Sequence, residues 1–318
     1  MDISVVIPVY GCPECLKELH ARLVAALETI TPDFEIILVN DGCPRNSWET
    51  VREIALSDAR VVGIDLSRNF GQFHALTAGL DRANGHWVMA MDCDLQDLPE
   101  EIPKLHSKGQ EGYDVVLSRR AERKDSAVKR LCSSLFYRLL GYLTGDTFDA
   151  SISNFSMCRD YVLDAFLQMR EQNRSFVLFL MWLGFRTAII DVQHGPRAAS
   201  KSSYSLGRQL KLAWEIISAH SNRPLTLSMN VGLVMSAISL LYVVFLVIQK
   251  LVHGITVPGW TTTVASIYFV GGLILASLGM VGRYVGYVFD QTKSRPLYVV
   301  REIVENRASR LGGGAKRG

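Results

Sequence analysis

Short apolar runs rich in β-branched residues alternate with amphipathic stretches through the first 120 residues. Five runs have the length and composition of buried strands: residues 3–8, 34–40, 61–66, 86–91 and 115–117. Three stretches between them have apolar side chains at helical spacing: residues 16–27, 48–56 and 71–83. This alternation predicts βαβ units, and so an α/β domain whose mostly parallel sheet is covered on both faces.

Two long stretches later in the chain contain no charged residue. Residues 225–248 and 261–282 each exceed the roughly 20 residues that a helix needs to cross a bilayer. Core helices of a soluble protein are the competing interpretation, but uncharged runs of this length are typical of membrane spans. We therefore expect a two-helix transmembrane domain at residues 222–289.

The segment after these stretches is basic. Residues 290–318 hold seven Lys and Arg against three acidic residues, whereas the link between the stretches offers Lys250 and His253. Basic flanks stay in the cytoplasm. The sequence thus predicts a multi-pass protein of the inner (cytoplasmic) membrane, with both termini and the N-terminal domain in the cytoplasm and a basic tail at 290–318.

Two amphipathic stretches carry basic residues among leucines. Residues 128–143 and 206–219 fit either core-facing helices or interfacial helices that lie on the membrane surface. We assign both to a cytoplasmic domain that spans residues 1–221.

The net charge limits the kinds of binding partner. A net charge of +3 is too small to suggest nucleic acid, and basic residues close to a membrane suit anionic headgroups.

The six cysteines all fall in the predicted cytosolic part, where thiols stay reduced. Cys12 and Cys15 have the spacing of half a zinc site or of a redox pair, but no second such pair follows, and we expect two unpaired residues.

The strongest chemical signal follows the run at 86–91. Asp92 and Asp94 point to the same side if their segment is extended, so both can converge on one cation. Together with the amide oxygen of Gln96 they are hard ligands suited to Mg²⁺ or Mn²⁺. Acidic turns are common, and it is the place at a strand end that favours a metal site.

Two other strand ends carry polar residues. Asp41, in an Asn-Asp-Gly sequence, offers a carboxylate to a nucleotide base, although a plain turn also explains it. Arg68 and Asn69 precede a predicted helix whose N-terminus suits an anion, although capping is the commoner role.

Taken in order, four motifs resemble glycosyltransferase family 2. They are Val6-Ile-Pro-Val-Tyr10, Val39-Asn-Asp-Gly42, Arg68-Asn69 with Gly71-Gln72, and Asp92-x-Asp94-x-Gln96. More narrowly, nearly the whole chain resembles the polyprenyl-phosphate branch, which includes dolichyl-phosphate mannose synthases, bactoprenol glucosyltransferases and undecaprenyl-phosphate aminoarabinose transferases. The resemblance implies a GT-A (Rossmann-like) domain followed by two C-terminal transmembrane helices.

The resemblance also implies roles for individual residues. The nucleotide-binding positions are Pro8, Val9, Tyr10, Asp41, Arg68, Asn69 and Gln72. The metal and diphosphate positions are Asp92, Asp94 and Gln96, and Arg119, which follows Ser118, contacts phosphate. The acceptor-phosphate positions are Lys129, Arg130, Arg197, Ser202 and Tyr204, the last three in a closing loop. Catalysis is expected to depend on Asp92, Asp94, Arg119, Arg130 and Arg197.

The chain departs from the family pattern around the sugar and base pockets. Gly11-Cys12 stands where Asn-Glu is usual, and Asn40 and Cys43 replace Asp and Ser. Further changes fall at Ser153-Asn154 and, in the closing loop, at Ser200 and Ser203. The three metal-binding positions all have the expected residues. The changes therefore leave open which donor is used, but not which class of reaction is expected.

The implied reaction is inverting transfer of a sugar from a nucleotide diphosphate sugar to a polyprenyl phosphate, with undecaprenyl phosphate favoured, and relatives suggest a homo-oligomer. One alternative is a processive polysaccharide synthase, but the Gln-x-x-Arg-Trp stretch and the additional spans of such enzymes are missing from the sequence. The other is a membrane-tethered nucleotide-sugar-binding protein without turnover, which the altered pocket residues allow.

Overall fold

The computed structural model of the protein describes residues 1–120, 151–172, 174–195, 223–253 and 259–306. The predicted amphipathic stretches at 128–143 and 206–219 lie outside these ranges. The described residues divide into two compact units. Of these residues, one unit holds 1–120, 151–172, 174–195 and 295–306, and the other holds 223–253 and 259–294, which include the long helices near the end of the chain.

The first unit contains an eight-stranded sheet in the order β7-β5-β6-β4-β1-β2-β3-β8. Its strands are β1 (Ile3–Val9), β2 (Phe34–Asn40), β3 (Val61–Leu66), β4 (Trp87–Ala90), β5 (Val115–Arg120), β6 (Ile152–Arg159), β7 (Thr187–Val192) and β8 (Val300–Glu305). Strand β1 pairs in parallel with β2 and β4, β2 with β3, and β5 with β7. Strand β6 runs antiparallel to β4 and β5, and β8 to β3. The predicted α/β fold is therefore confirmed.

Helices cover both faces of the sheet. They are α1 (Leu16–Glu28), α2 (Ser47–Ser57), α3 (Gln72–Leu80), α4 (Ile102–Gln110), α5 (Asp160–Gln168) and α6 (Phe176–Trp182). Buried residues of α1, α2 and α4 pack on one face, and those of α3, α5 and α6 on the other. All seven residues of β1 and of β2 are buried, because a parallel strand covered by helices on both sides has no face open to solvent.

Strand β8 was not predicted. Its sequence, Val-Arg-Glu-Ile-Val-Glu, is charged enough to resemble part of the basic tail, yet it adds an antiparallel edge to β3. The chain thus returns to its first domain after the long helices.

The second unit, as far as it is described, contains α7 (Arg223–His253) and α8 (Trp260–Thr292). By length and composition, one stretch within the described ranges can cross a membrane: Phe269–Thr292, which overlaps the predicted span at 261–282. The other predicted span, at 225–248, lies within α7 and stays a prediction.

Candidate functional site

Most of the predicted site residues meet at the carboxyl edge of the parallel strands. Tyr10 follows β1, Asp41 follows β2, Arg68 follows β3, and Asp92 follows β4. Since these four strands are parallel neighbours, the loops after them lie along one edge, which is where open α/β sheets bind ligands.

The loop after β3 is held by Asp41. The Asp41 carboxylate accepts the backbone N–H groups of Phe70 at 2.7 Å and of Gly71 at 2.9 Å, and its own carbonyl accepts the amide of Asn69 at 3.2 Å. Burial raises the pKa of Asp41, and the two N–H bonds partly offset this. Asp41 is only 2% exposed and shapes the loop, and its predicted contact with a nucleotide base stays a prediction.

Gly42 lets the loops after β2 and β3 approach each other. It has φ +58°, and a Cβ placed on it would lie 2.6 Å from the carbonyl carbon of Arg68 and from the backbone nitrogen of Asn69. Arg68 and Asn69 are themselves exposed, with the Arg68 guanidinium 4.2 Å from the centre of the Phe70 ring. Two of the predicted nucleotide-binding residues therefore depend on a glycine in the neighbouring loop for their backbone position.

The end of β1 carries both buried and exposed residues. Pro8 and Val9 are buried within β1, and Tyr10 is 53% exposed at its end. Here the expectation of unpaired cysteines is wrong, because Cys12 and Cys15 form a disulfide. One 3-10 turn, Pro13–Cys15, separates their Cα atoms by 5.6 Å, within the usual range for a disulfide.

The metal-binding candidates follow β4 in a bend rather than in a continued strand. Strand β4 ends at Ala90, and Leu95 has φ +62°. The extended geometry assumed for Asp92 and Asp94 is therefore wrong beyond the strand end. Burial nevertheless alternates, with Asp92, Asp94 and Gln96 half-buried and the residues between them buried, so the three share the more accessible side.

Hydrogen bonds fix this bend. The Gln96 backbone N–H donates to the Asp94 carboxylate at 3.1 Å, and the Gln72 side-chain amide donates to Asp92 Oδ1 at 2.6 Å. Gln72 is the first residue of α3, so this bond joins the loop after β3 to the loop after β4. Within the described ranges, no cluster of three or more His, Cys, Asp or Glu side chains able to hold a metal is found.

Asp97 is a site residue that the sequence patterns did not indicate. It is 3% exposed, accepts the Asp92 backbone N–H at 3.3 Å, and lies 3.7 Å from His194 Nδ1. Burial, and then the negative charge of Asp92, raise the pKa of Asp97 to about 7. The negative charges of Asp92 and Asp94 both disfavour ionisation of Asp97, and a cation bound to Asp92 and Asp94 would relieve that repulsion. The donor set and its surroundings therefore fit a hard divalent cation.

The arginine expected to follow the fifth strand lies within β5, where it forms an ion pair. Arg119 contacts the Asp191 carboxylate of β7 at 2.6 and 3.2 Å, and the preceding Ser118 is buried against Ser153 at 2.7 Å. The phosphate contact expected of Arg119 stays a prediction. Five further candidates lie outside the described residues: Lys129, Arg130, Arg197, Ser202 and Tyr204.

Comparisons with known proteins show which family this chain resembles. The model for "Glycosyl transferase family 2" matches residues 4–166. Undecaprenyl-phosphate 4-deoxy-4-formamido-L-arabinose transferase of Proteus mirabilis is 32% identical, over 95% of this chain and 94% of that protein. Bactoprenol glucosyl transferase of Shigella phage SfX is 33% identical, over 95% and 99%.

A solved structure shares the fold. Glucosyl-3-phosphoglycerate synthase from Mycobacterium tuberculosis, in complex with Mn²⁺, UDP-glucose and phosphoglyceric acid, superposes with a TM-score of 0.50. The match covers 70% of this chain and 79% of that chain at 19% sequence identity. At that identity the likeness is one of fold alone.

Proposed function

Because the chain belongs to glycosyl transferase family 2, we propose that it transfers a sugar from a nucleotide diphosphate donor to a polyprenyl phosphate, undecaprenyl phosphate above all. The names of the two relatives support this acceptor, since one is an undecaprenyl-phosphate transferase and the other a bactoprenol glucosyl transferase, both similar over nearly their whole length.

One observation carries the donor part of the proposal: the loops after β1, β2, β3 and β4 meet at one edge, and Gln72 ties two of them together. Pro8, Val9, Tyr10 and Asp41 would hold the base and ribose there. Arg68, Asn69 and Gln72 would place the nucleotide beside Asp92.

The diphosphate would lie against the bend after β4. Asp92, Asp94 and Gln96 would hold Mg²⁺ or Mn²⁺, which would offset the negative charge on the departing diphosphate. The buried Asp97 carboxylate accepts the backbone N–H of Asp92, and this bond keeps the Asp92 carboxylate in place.

The acceptor needs little activation, because a phosphate monoester has its second pKa near 6. An oxygen of the acceptor phosphate forms a bond to the anomeric carbon as the bond between that carbon and the diphosphate oxygen breaks. The electron pair of the broken bond leaves with the diphosphate. The configuration is thereby inverted. Arg119, Arg130 and Arg197, with Lys129, Ser202 and Tyr204, would hold two phosphates that repel each other, so catalysis depends on orientation and electrostatics.

The surface of the long helices supports a membrane location. Several large apolar side chains of α7 and α8 are more than half exposed, among them Leu233, Leu241, Leu251, Leu275 and Phe289. A soluble protein rarely exposes apolar surface of this extent. We propose that both helices cross the inner membrane, that the catalytic domain and both termini are cytoplasmic, and that the protein is a homo-oligomer.

A transfer assay tests the proposal. The full chain, purified in detergent, is mixed with undecaprenyl phosphate, Mg²⁺ or Mn²⁺, and each of a panel of radiolabelled nucleotide sugars. We expect label to move into the organic phase with one donor and to stop with EDTA. Asp94→Asn should lower this turnover at least 100-fold, whereas Gln168→Ala, an exposed change on α5, should leave it unchanged.

Two results would contradict the proposal. Near-normal turnover by Asp94→Asn would remove the metal-binding role of this residue. Metal-dependent binding of a nucleotide sugar without any transfer would instead favour the non-catalytic binding protein.

A further inference from the structure

The C-terminal strand β8 carries an irregularity beside the loop after β3. In its pairing with β3, Asp65 lies opposite Glu302, whereas the next residue, Leu66, lies opposite Val300. Arg301 is the residue skipped by this shift in register. Such bulges redirect side chains and occur often next to active sites.

The redirected Arg301 side chain contacts two residues at the end of β3. Its Nη1 lies 3.1 Å from Asp65 Oδ2, and its Nη2 donates to the Ser67 carbonyl oxygen at 2.6 Å. The Ser67 N–H in turn donates to the Val299 carbonyl at 2.9 Å. Ser67 is therefore held through both its backbone N–H and its carbonyl by the C-terminal segment.

Asp65 extends the contact to β2. It is 2% exposed, and its Oδ1 accepts the side-chain amide of the buried Asn40 at 2.7 Å. A buried carboxylate needs a charged or hydrogen-bonding partner for each oxygen. Arg301 supplies one and Asn40 the other, so the guanidinium is linked to the ends of both β2 and β3.

Both linked positions directly precede candidate donor-binding residues. Asn40 is followed by Asp41, and Ser67 by Arg68 and Asn69. We propose that Arg301 is a positioning residue for the donor: through Asp65 and Ser67 it sets the two loops that bind the nucleotide. This inference rests on the proposed function.

The competing explanation is that Arg301 only holds β8 against the sheet. Strand β8 has a second ion pair, far from these loops, that can do the same. Arg82 lies 3.4 Å from Glu305 near the other end of β8. Glu305→Gln removes the charge of that pair and leaves the contacts of Arg301 in place, so it is the matched control. Any effect of a loosened strand should then appear in both variants, and an effect on the donor in Arg301 variants alone.

The experiment compares Arg301→Met, Arg301→Lys and Glu305→Gln in the full chain in detergent. We expect Arg301→Met to raise the donor KM about tenfold with the acceptor KM within twofold of wild type. Arg301→Lys should raise the donor KM less, because one ammonium can reach Asp65 or Ser67 but cannot contact both as the guanidinium does. Glu305→Gln should leave the donor KM unchanged.

Hydrogen exchange gives a second readout that needs no turnover. The N–H groups of Phe70 and Gly71, which donate to Asp41, should exchange faster in Arg301→Met but not in Glu305→Gln. If wild-type protein transfers no sugar, the proposed function fails, and this exchange still decides the role of Arg301.

Two results would overturn the inference. One is a donor KM and loop exchange in Arg301→Met that match wild type. The other is an equal change in these two readouts in Arg301→Met and Glu305→Gln, which would show that Arg301 only holds β8 in place. If Arg301→Met does not fold, Arg301→Lys decides, with a threefold higher donor KM expected and an unchanged one contradicting the inference.

Discussion

The side-chain amide of Gln72 donates to Asp92 Oδ1 at 2.6 Å, and this bond joins the loops that follow two strands of the sheet. Gln72 opens α3, whereas Asp92 follows β4, which is separated from β3 by β1 and β2. One carboxylate oxygen of Asp92 is thereby oriented by the loop that is proposed to hold the nucleotide. Binding of donor and of metal should consequently be coupled.

Gln72→Ala tests this coupling. Loss of a hydrogen bond to a charged group costs about 1.5–3 kcal/mol, so the Mn²⁺ concentration for half-maximal transfer should rise about tenfold or more. The exposed Gln168→Ala on α5 is the control and should behave as wild type. An unchanged metal requirement in Gln72→Ala would show that Asp92 does not need this amide.

Gly42→Ala should disturb the donor loops through steric overlap. The added Cβ would meet the Arg68 and Asn69 backbone at 2.6 Å, and we expect a donor KM at least tenfold higher and a loss of about 1–3 kcal/mol in stability. Gly11→Ala is matched, because Gly11 also has positive φ (+81°) but no atom within 4 Å of the added Cβ. Equal effects of the two changes would assign the loss to backbone conformation alone.

Cys43 should be the most reactive of the described free thiols. Burial opposes ionisation, but hydrogen bonds from Ser47, Gly11 and Arg45 outweigh it and lower the pKa of Cys43. Burial raises the pKa of Cys93 to about 11 and that of Cys158 to about 12. Iodoacetamide labelling followed by peptide mass spectrometry should modify Cys43 first. Labelling of Cys93 at the same rate would contradict this.

Asp58 should contribute stability that disappears in acid. Hydrogen bonds from Arg60, outweighing burial, lower the pKa of Asp58 from 3.8 to about 2. A carboxylate with a lowered folded-state pKa stabilises the protein above its unfolded-state pKa, and this contribution disappears as the pH falls from about 4 to 2. Asp58→Asn should therefore lose about 1–2 kcal/mol at pH 7 and progressively less below pH 4.

Thermal unfolding followed by tryptophan fluorescence between pH 7 and 3 measures this difference. Gln168→Ala, which changes an exposed, uncharged residue on α5, is the control. A deficit of Asp58→Asn that stayed constant down to pH 3 would show that the ionised carboxylate is not the source of the stability.

The sequence predicted those parts of the fold where local pattern and tertiary environment agree. Strands β2 and β3 have the predicted bounds, because each is a mostly apolar, fully buried run between polar turns. The predicted helix at 71–83 is shorter, α3 ending at Leu80. Asp81 then accepts the Arg170 guanidinium and the Tyr298 hydroxyl, contacts that depend on residues distant in sequence.

The site was predictable only as far as its motifs are local. Asp92, Asp94 and Gln96 stand together in the sequence, and all three lie on the accessible side of one bend. Asp97 is next in the chain but faces inward, and burial of a carboxylate cannot be inferred from its neighbours. The sequence alone places Arg301 in a basic tail, because the strand with which its own strand pairs lies in a distant segment.

The pairing of β8 with β3 also determines when the protein can become complete during its synthesis. Arg301 and Ser67 are 234 positions apart, and a ribosome that adds about 5–20 residues per second needs about 12–50 s between them. Through that interval both long helices emerge while the edge of β3 has no partner. The donor loops acquire their final support only from the last part of the chain, so a nascent protein that stalls before its end is left without this support.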